Sequence, residues 1–134
     1  NDILEQSYLL HLTVQDEIGL WPAQVIYIHD DMNVLYWKSD IFARHSQAIL
    51  KNNWITGSIS PSQSPSDIQR GLQMNGLAQK VEGDISLAQA YQRKRGKTTE
   101  HTLSNTQSWY CLIPIEIDLT YESLFGYAKQ RVPL

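Results

Sequence analysis

SWYCLIPIEIDL, residues Ser108–Leu119, decides the fold class of this chain. Trp109, Cys111, Ile113, Ile115, Ile117 and Leu119 alternate with Tyr110, Leu112, Pro114, Glu116 and Asp118. A repeat of two residues is the signature of a β-strand, because successive side chains leave opposite faces. Pro114 has no N–H to give a ladder, so it marks an edge position or a bulge. Cys111 falls on the apolar parity and reads as inert packing.

Working upstream, Asp84–Arg95 reads as a helix. Ile85, Leu87, Ala88 and Tyr91 make an inward side, Arg93, Lys94 and Arg95 suit the negative C-terminal end, and Gly96 stops it. The RKRGK run at 93–97 is read as a solvated helix end, and residues 97–107 as a loop or frayed helix. Gln69–Val81 is a long strand whose Gly71 and Gly76 suggest a bend, as at a barrel corner. PSQSPSD at 61–67 is a loop. Trp54–Ser60 is a strand in which Gly57 signals a bulge or a close backbone approach.

The N-terminal half repeats the theme. Residues 2–9 suggest a short helix, Tyr8–Val14 and Leu20–Ile28 a hairpin around QDEIG, and Val34–Ser39 a third strand after HDDMN. A helix is expected from about Ile41 to Lys51, with Ile41, His45, Ala48 and Ile49 on one face and Ser39 or Asp40 as its cap. Downstream, Leu124–Lys129 is read as a short last strand. The sum is a mainly β single domain over residues 1–134, six or seven strands joined mostly by short turns. Such strands pair antiparallel and close into a small barrel with flanking helices.

Composition bounds the function. The chain has 134 residues, 42% hydrophobic and 19% charged, with a net charge of −3. Its sequence pI of about 5.7 argues against nucleic acid as a partner, since phosphate neutralisation needs a basic face. No apolar run is long enough to span a bilayer, so no membrane partner is expected. A single cysteine fits a reducing compartment, and the cytoplasm is the expected location. No secretory signal is visible, though the chain opens on Asn1 rather than Met and a trimmed segment stays open. The four histidines (11, 29, 45 and 101) lack ligand spacing, so no metal site is expected.

Lys38, Ser39, Arg44 and His45 gather ammonium, hydroxyl, guanidinium and imidazole where a strand ends and a helix starts. A helix start offers free N–H groups and partial positive charge, which favours an anion there. The plainer reading is a polar turn that caps a helix.

Four stretches carry a resemblance: WPAQVIYIHDDMNVLYWKSD at 21–40, RHSQAILKNN at 44–53, GLQMNGLAQKVEGD at 71–84 and WYCLIPIEIDLTYESLFGY at 109–127. With them the chain resembles the pyridoxamine 5′-phosphate oxidase-like split β-barrels, from about Leu10 to Lys129. RH at 44–45 and SLFGYAK at 123–129 make it most similar to the YhbP-like bacterial branch, whose function is unassigned. The resemblance implies a homodimer with FMN at the subunit interface and oxidoreductase chemistry on an unknown small molecule. It places the phosphate at Ser39, Arg44 and His45, with Lys38 beside them. It lays the ring along Ala23, Gln24 and Val25, and gives Gln73 and Trp109 as contributors across the dimer. Trp37 and Trp109 are candidates for stacking on the ring, or for core and interface.

Departures from the pattern are specific. Gln24 stands where flavin-binding oxidases carry a phosphate-binding Arg, and residues 120–134 lack the Arg- and His-containing motif that grips pyridoxamine phosphate. The alternatives are therefore a split barrel without flavin, acting as a ligand-binding or interaction module, and one holding a deazaflavin or haem. No catalytic acid or base emerges from the sequence.

Overall fold

The computed structural model describes residues 2–97, 103–126 and 128–134. Its spine is the antiparallel pair of β6 (Arg70–Val81) and β7 (Gln107–Tyr121), in register from Arg70 opposite Tyr121 to Val81 opposite Trp109. On the β6 side follow β5 (Trp54–Ile59), β1 (Leu9–Gln15) and β2 (Leu20–Ile26). On the β7 side lie β4 (Leu35–Asp40) and β3 (Ile28–His29), while β8 (Gln130–Arg131) pairs with the far end of β7. These eight strands form one antiparallel sheet curled into a half-barrel. The helices are α1 (Asp2–Gln6), α2 (Arg44–Lys51), α3 (Ile85–Lys94) and α4 (Glu122–Phe125).

Period-two sequence makes the concave face apolar. Leu10, Leu12 and Val14 of β1, Ile55 and Ile59 of β5, Leu72, Met74 and Ala78 of β6, and Leu35 and Trp37 of β4 are all buried there. Ile3 and Leu4 of α1 close one part of this core, and Ala48 and Ile49 of α2 another. Each such aliphatic side chain contributes about 1.5–3 kcal/mol by leaving water. Gly57 belongs to this packing: a Cβ there would come within 2.9 Å of Leu10 Cδ1 and 3.3 Å of Leu112 Cδ2. The close approach at Gly57 is thus to side chains rather than to backbone, and the strand pairs regularly there without a bulge. A second, smaller cluster, Ile28, Tyr91 and Trp109, packs under α3 on the opposite side of the sheet.

β7 does not keep one alternation. Asn75 pairs with Glu116 but Gly76 pairs with Pro114, so Ile115 is an extra residue, a β-bulge beside the proline. Tyr110 and Leu112 point into the core before it, and Ile117 after it. Ile113 and Ile115 are left 38% and 52% exposed. The uniform alternation expected from the sequence is corrected accordingly. Cys111 is buried on the Trp109 side of the strand rather than inside the barrel, and burial pushes its thiol pKa up, which suits inert packing.

Other boundaries move for local reasons. The strand expected over 20–28 breaks at Tyr27, whose N–H donates to the Tyr8 carbonyl at 3.2 Å and whose hydroxyl donates to the Leu4 carbonyl at 2.7 Å. α2 begins at Arg44 rather than Ile41. Asp40 folds the preceding residues into a turn: its Oδ1 accepts from Phe42 N–H at 2.8 Å and its carbonyl from Ala43 N–H at 3.1 Å. The N-cap is Ala43, which makes no side-chain cap, so neither Ser39 nor Asp40 fills that role. The buried residues of α2 are Ser46, Ala48 and Ile49, with His45 only partly covered. α3 starts at Ile85 with Asp84 as its cap: Asp84 Oδ1 accepts from Leu87 N–H at 2.9 Å. Among the described residues of the strand expected over 124–129 no strand is formed: Glu122–Phe125 is the helix α4 and pairing resumes at Gln130, while Tyr127 lies outside the described residues. Among the described residues no helix is long and apolar enough to cross a membrane.

Candidate functional site

The convex face of the sheet carries two cross-strand rows of polar side chains. Gln24, His11, Ser58, Gln73, Asp118 and Arg131 are successive partners across β2, β1, β5, β6, β7 and β8. Beside them run Pro22, Thr13, Thr56, Asn75 and Glu116. Together they line an open cleft of about 410 Å³. Its β8 end is fixed by charge: Arg131 donates to Asp118 Oδ1 and to Glu116 Oε2, both at 2.6 Å. The other oxygen of Glu116 accepts from the Asn75 amide. The carboxylates raise the Arg131 pKa further, Asp118 most. The β2 end offers the uncharged donors and acceptors of Gln24, Ser58 and Gln73, with the imidazole of His11.

An apolar strip adjoins the cleft. Trp54 pairs with Leu77, which pairs with Ile113, and the bulge sets Ile115 next to them. Trp54 is 53% exposed.

The residues expected to form an anion site separate into three places. Ser39 and His45 meet, with Ser39 Oγ 2.9 Å from His45 Nε2. Burial alone moves the imidazole pKa below its ordinary value, so His45 is neutral near pH 7. Arg44 turns away to Asp16, with Nε 2.6 Å from Oδ2 and a terminal nitrogen 3.0 Å from Oδ1. Its guanidinium also lies 4.3 Å from the centroid of the Trp21 ring. Asp16 is itself the hairpin's turn residue, accepting from Ile18 and Gly19 N–H at 2.9 and 3.1 Å. The Arg44 hydrogen bond, chiefly, holds the Asp16 carboxyl well below the usual carboxylate range. Lys38, of opposite parity to Ser39, reaches the far side of the sheet, where its Nζ is 5.1 Å from the Tyr91 ring centroid and burial lowers its pKa.

Trp37 and Trp109 are enclosed. Trp37 is fully buried and stacked on Tyr110 at 6.1 Å, so it presents no ring face to a ligand. Trp109 is 3% exposed and meets Tyr91 edge-on at 5.6 Å beneath α3. Val25 is core; Ala23 packs against the core and borders the cleft. Ala23 and Gln24, expected along the ring, therefore share one cleft, and Gln73, expected to reach the ring from the opposing subunit, lines the same cleft within this chain. Sequence reading missed His11, Thr13, Thr56 and Ser58 as lining residues. Their signal was present as the polar parity of β1 and β5, but register is needed to put both on one face. Among the described residues no group of three or more His, Cys, Asp or Glu side chains is placed to hold a metal ion.

No protein-family model matches the chain. A UPF0306 protein of Yersinia pestis is 24% identical over 131 residues, covering 97% of this chain and 87% of the relative. A provisionally assigned pyridoxamine 5′-phosphate oxidase from Listeria innocua superposes with a TM-score of 0.71 at 22% identity, over 88% of this chain and 92% of that one. The fold is the pyridoxamine 5′-phosphate oxidase-like split barrel. Split barrels of this kind include a heme binding protein from Mycobacterium smegmatis, with a TM-score of 0.77 at 15% identity over 97% of this chain and 54% of that one. They also include an F420 reductase, with a TM-score of 0.69 at 15% identity over 87% and 93%.

Proposed function

We propose that this protein is a homodimeric split barrel that binds an isoalloxazine-type cofactor, FMN or a deazaflavin, in the convex-face cleft and serves as an oxidoreductase. The observation that carries this reading is the convergence of Gln24 and Gln73, from strands far apart in sequence, on one cleft with His11 and Ser58 between them. Amide, hydroxyl and imidazole groups in one row supply both donors and acceptors, which suits the polar edge of a flavin ring. When bound, the cofactor supplies the redox chemistry. The chain's own residues orient its ring edge and, with a second copy over the apolar strip of Trp54, Leu77, Ile113 and Ile115, exclude water.

The fit is to the ring and not to a phosphate. Arg44 is committed to Asp16 and Trp21, His45 is neutral, and Gln24 carries no charge. A phosphate dianion at Ser39 and His45 would lack the charge-assisted bonds worth roughly 1.5–3 kcal/mol each. That observation favours a second reading, a split barrel without flavin that binds another ligand or a protein. Titration of cofactor-stripped protein with FMN and riboflavin separates the two. Saturable binding of either flavin supports the first reading; failure of both, with no Soret band on adding haem, leaves the second.

A further inference from the structure

A second cleft, of about 540 Å³, shares no residue with the first. It lies between α1, β3 and α3, and its lining includes Glu5, Ser7, His29, Arg93 and Lys94. Lys94 Nζ donates to the Leu4 carbonyl at 3.0 Å and stands 3.9 Å from the centroid of the Tyr27 ring. The Tyr27 hydroxyl donates to the same carbonyl at 2.7 Å. His29 Nε2 is 3.0 Å from Glu5 Oε1, and its Nδ1 is 3.2 Å from the Asp30 carbonyl. Arg93, on the same turn of α3 as Lys94, is exposed.

A lysine amine held this way is unusual. Surface lysines sweep freely through water; this one is fixed at one carbonyl and over one ring at the edge of a cleft that its side chain lines. Burial lowers its pKa to about 8. Near neutral pH a larger share of Lys94 than of an ordinary lysine therefore carries the free amine.

We propose that Lys94 is an imine-forming nucleophile that takes a small aldehyde or α-keto acid, with Arg93 receiving the carboxylate. The amine nitrogen bonds to the carbonyl carbon, the resulting carbinolamine loses its oxygen as water, and a C=N bond remains. No oxidant or reductant is required. The protonated imine keeps one N–H and one positive charge. The Leu4 carbonyl and the face of Tyr27 stabilise that product as they hold the ammonium. The His29–Glu5 pair lines the same cleft.

The test uses the intact protein, glyoxylate as the probe and cyanoborohydride to trap the imine, with modified lysines located by peptide mass spectrometry. Exposed Lys51, Lys80 and Lys129 serve as references within the same digest. Lys94 is expected to be modified at least about tenfold faster than these at about pH 7.5, an advantage that shrinks as pH rises towards 10. Rates within about twofold of the references would overturn the assignment. Acetaldehyde, which lacks the carboxylate, tests the second half. Arg93→Gln should slow glyoxylate labelling of Lys94 at least about threefold and leave acetaldehyde labelling unchanged. Equal effects on both probes, or none on either, would remove Arg93 from the site.

Discussion

Arg44 binds Asp16 through two nitrogens, at 2.6 and 3.0 Å, and this pair fastens the β1–β2 hairpin to the start of α2. The guanidinium expected to clamp a phosphate is thus a structural tie. Arg44→Ala should lower the melting temperature yet leave FMN affinity within about twofold, because no charge-assisted bond to the ligand is lost. A tenfold loss for FMN with riboflavin unaffected would return Arg44 to the ligand.

The same tie sets an acid limit. The Asp16 carboxyl has a depressed pKa in the folded state, so its contribution is fully present above the ordinary aspartate range. It is lost as pH falls through the folded value. Asp16→Asn should reduce stability at neutral pH and flatten the acid side of the stability profile, read by chemical denaturation at stepped pH.

His45 acts in a higher window. Its folded pKa lies below the ordinary histidine value because burial disfavours the imidazolium. Above about pH 6.5 the ring is neutral in both folded and unfolded chains and stability is unaffected. As pH falls below that, the unfolded chain takes the proton first and the fold loses stability. His45→Gln, which can still bond Ser39, should remove the part of the decline that begins near pH 6.5. A profile identical to that of the parent would mean the ring is not buried as described.

Ile113 and Ile115 sit exposed beside Trp54, and the proposed dimer covers them. Placing glutamate at both should weaken dimerisation at least about a hundredfold, since central apolar contacts dominate such interfaces. Circular dichroism should be unchanged, because neither side chain enters the core. Sedimentation across a micromolar dilution series reads the result. A parent chain that is already monomeric there would refute the dimer.

Trp37 separates core from ligand roles. Its indole Nε1 makes no hydrogen bond among the described residues, so Trp37→Phe should cost no more than about 1–2 kcal/mol, whereas Trp37→Ala should cost about 3–5 kcal/mol. Flavin affinity of the Phe variant should match that of the parent.

Much of the fold was legible because strands and the α3 cap are local matters. Alternation located β7, apolar runs bounded by turn residues located β1, β4, β5 and β6, and the helix expected from Asp84 begins one residue later, with Asp84 as its cap. What failed depended on distant partners. Asp40 spends its side chain on a turn that delays α2. The identical residue types at Trp37 and Trp109 are buried by different layers, one inside the barrel and one under α3, which no pattern within either strand encodes. The site was legible only for residues whose side chains stay uncommitted in the fold. Gln24 remained in the cleft, joined by Gln73 of the same chain, while Arg44 and Lys38 found partners contributed by the β1–β2 turn and α3.

The extra residue at Ile115 gives β7 a phase slip. A complete substitution scan of the strand should therefore trace two patterns of tolerance. On the barrel face, intolerance to charge should fall on even positions through Leu112 and on odd positions from Ile117, with a permissive interval between; Trp109 and Cys111, buried on the other face, add a separate intolerant pair. Removing Ile115 would bring the two patterns into one phase. Ile117 and Leu119 would then turn to the solvent, and Glu116 and Asp118, together with the arginine they hold, would be driven towards the barrel. A single deletion at this point should be far more damaging than any single replacement there.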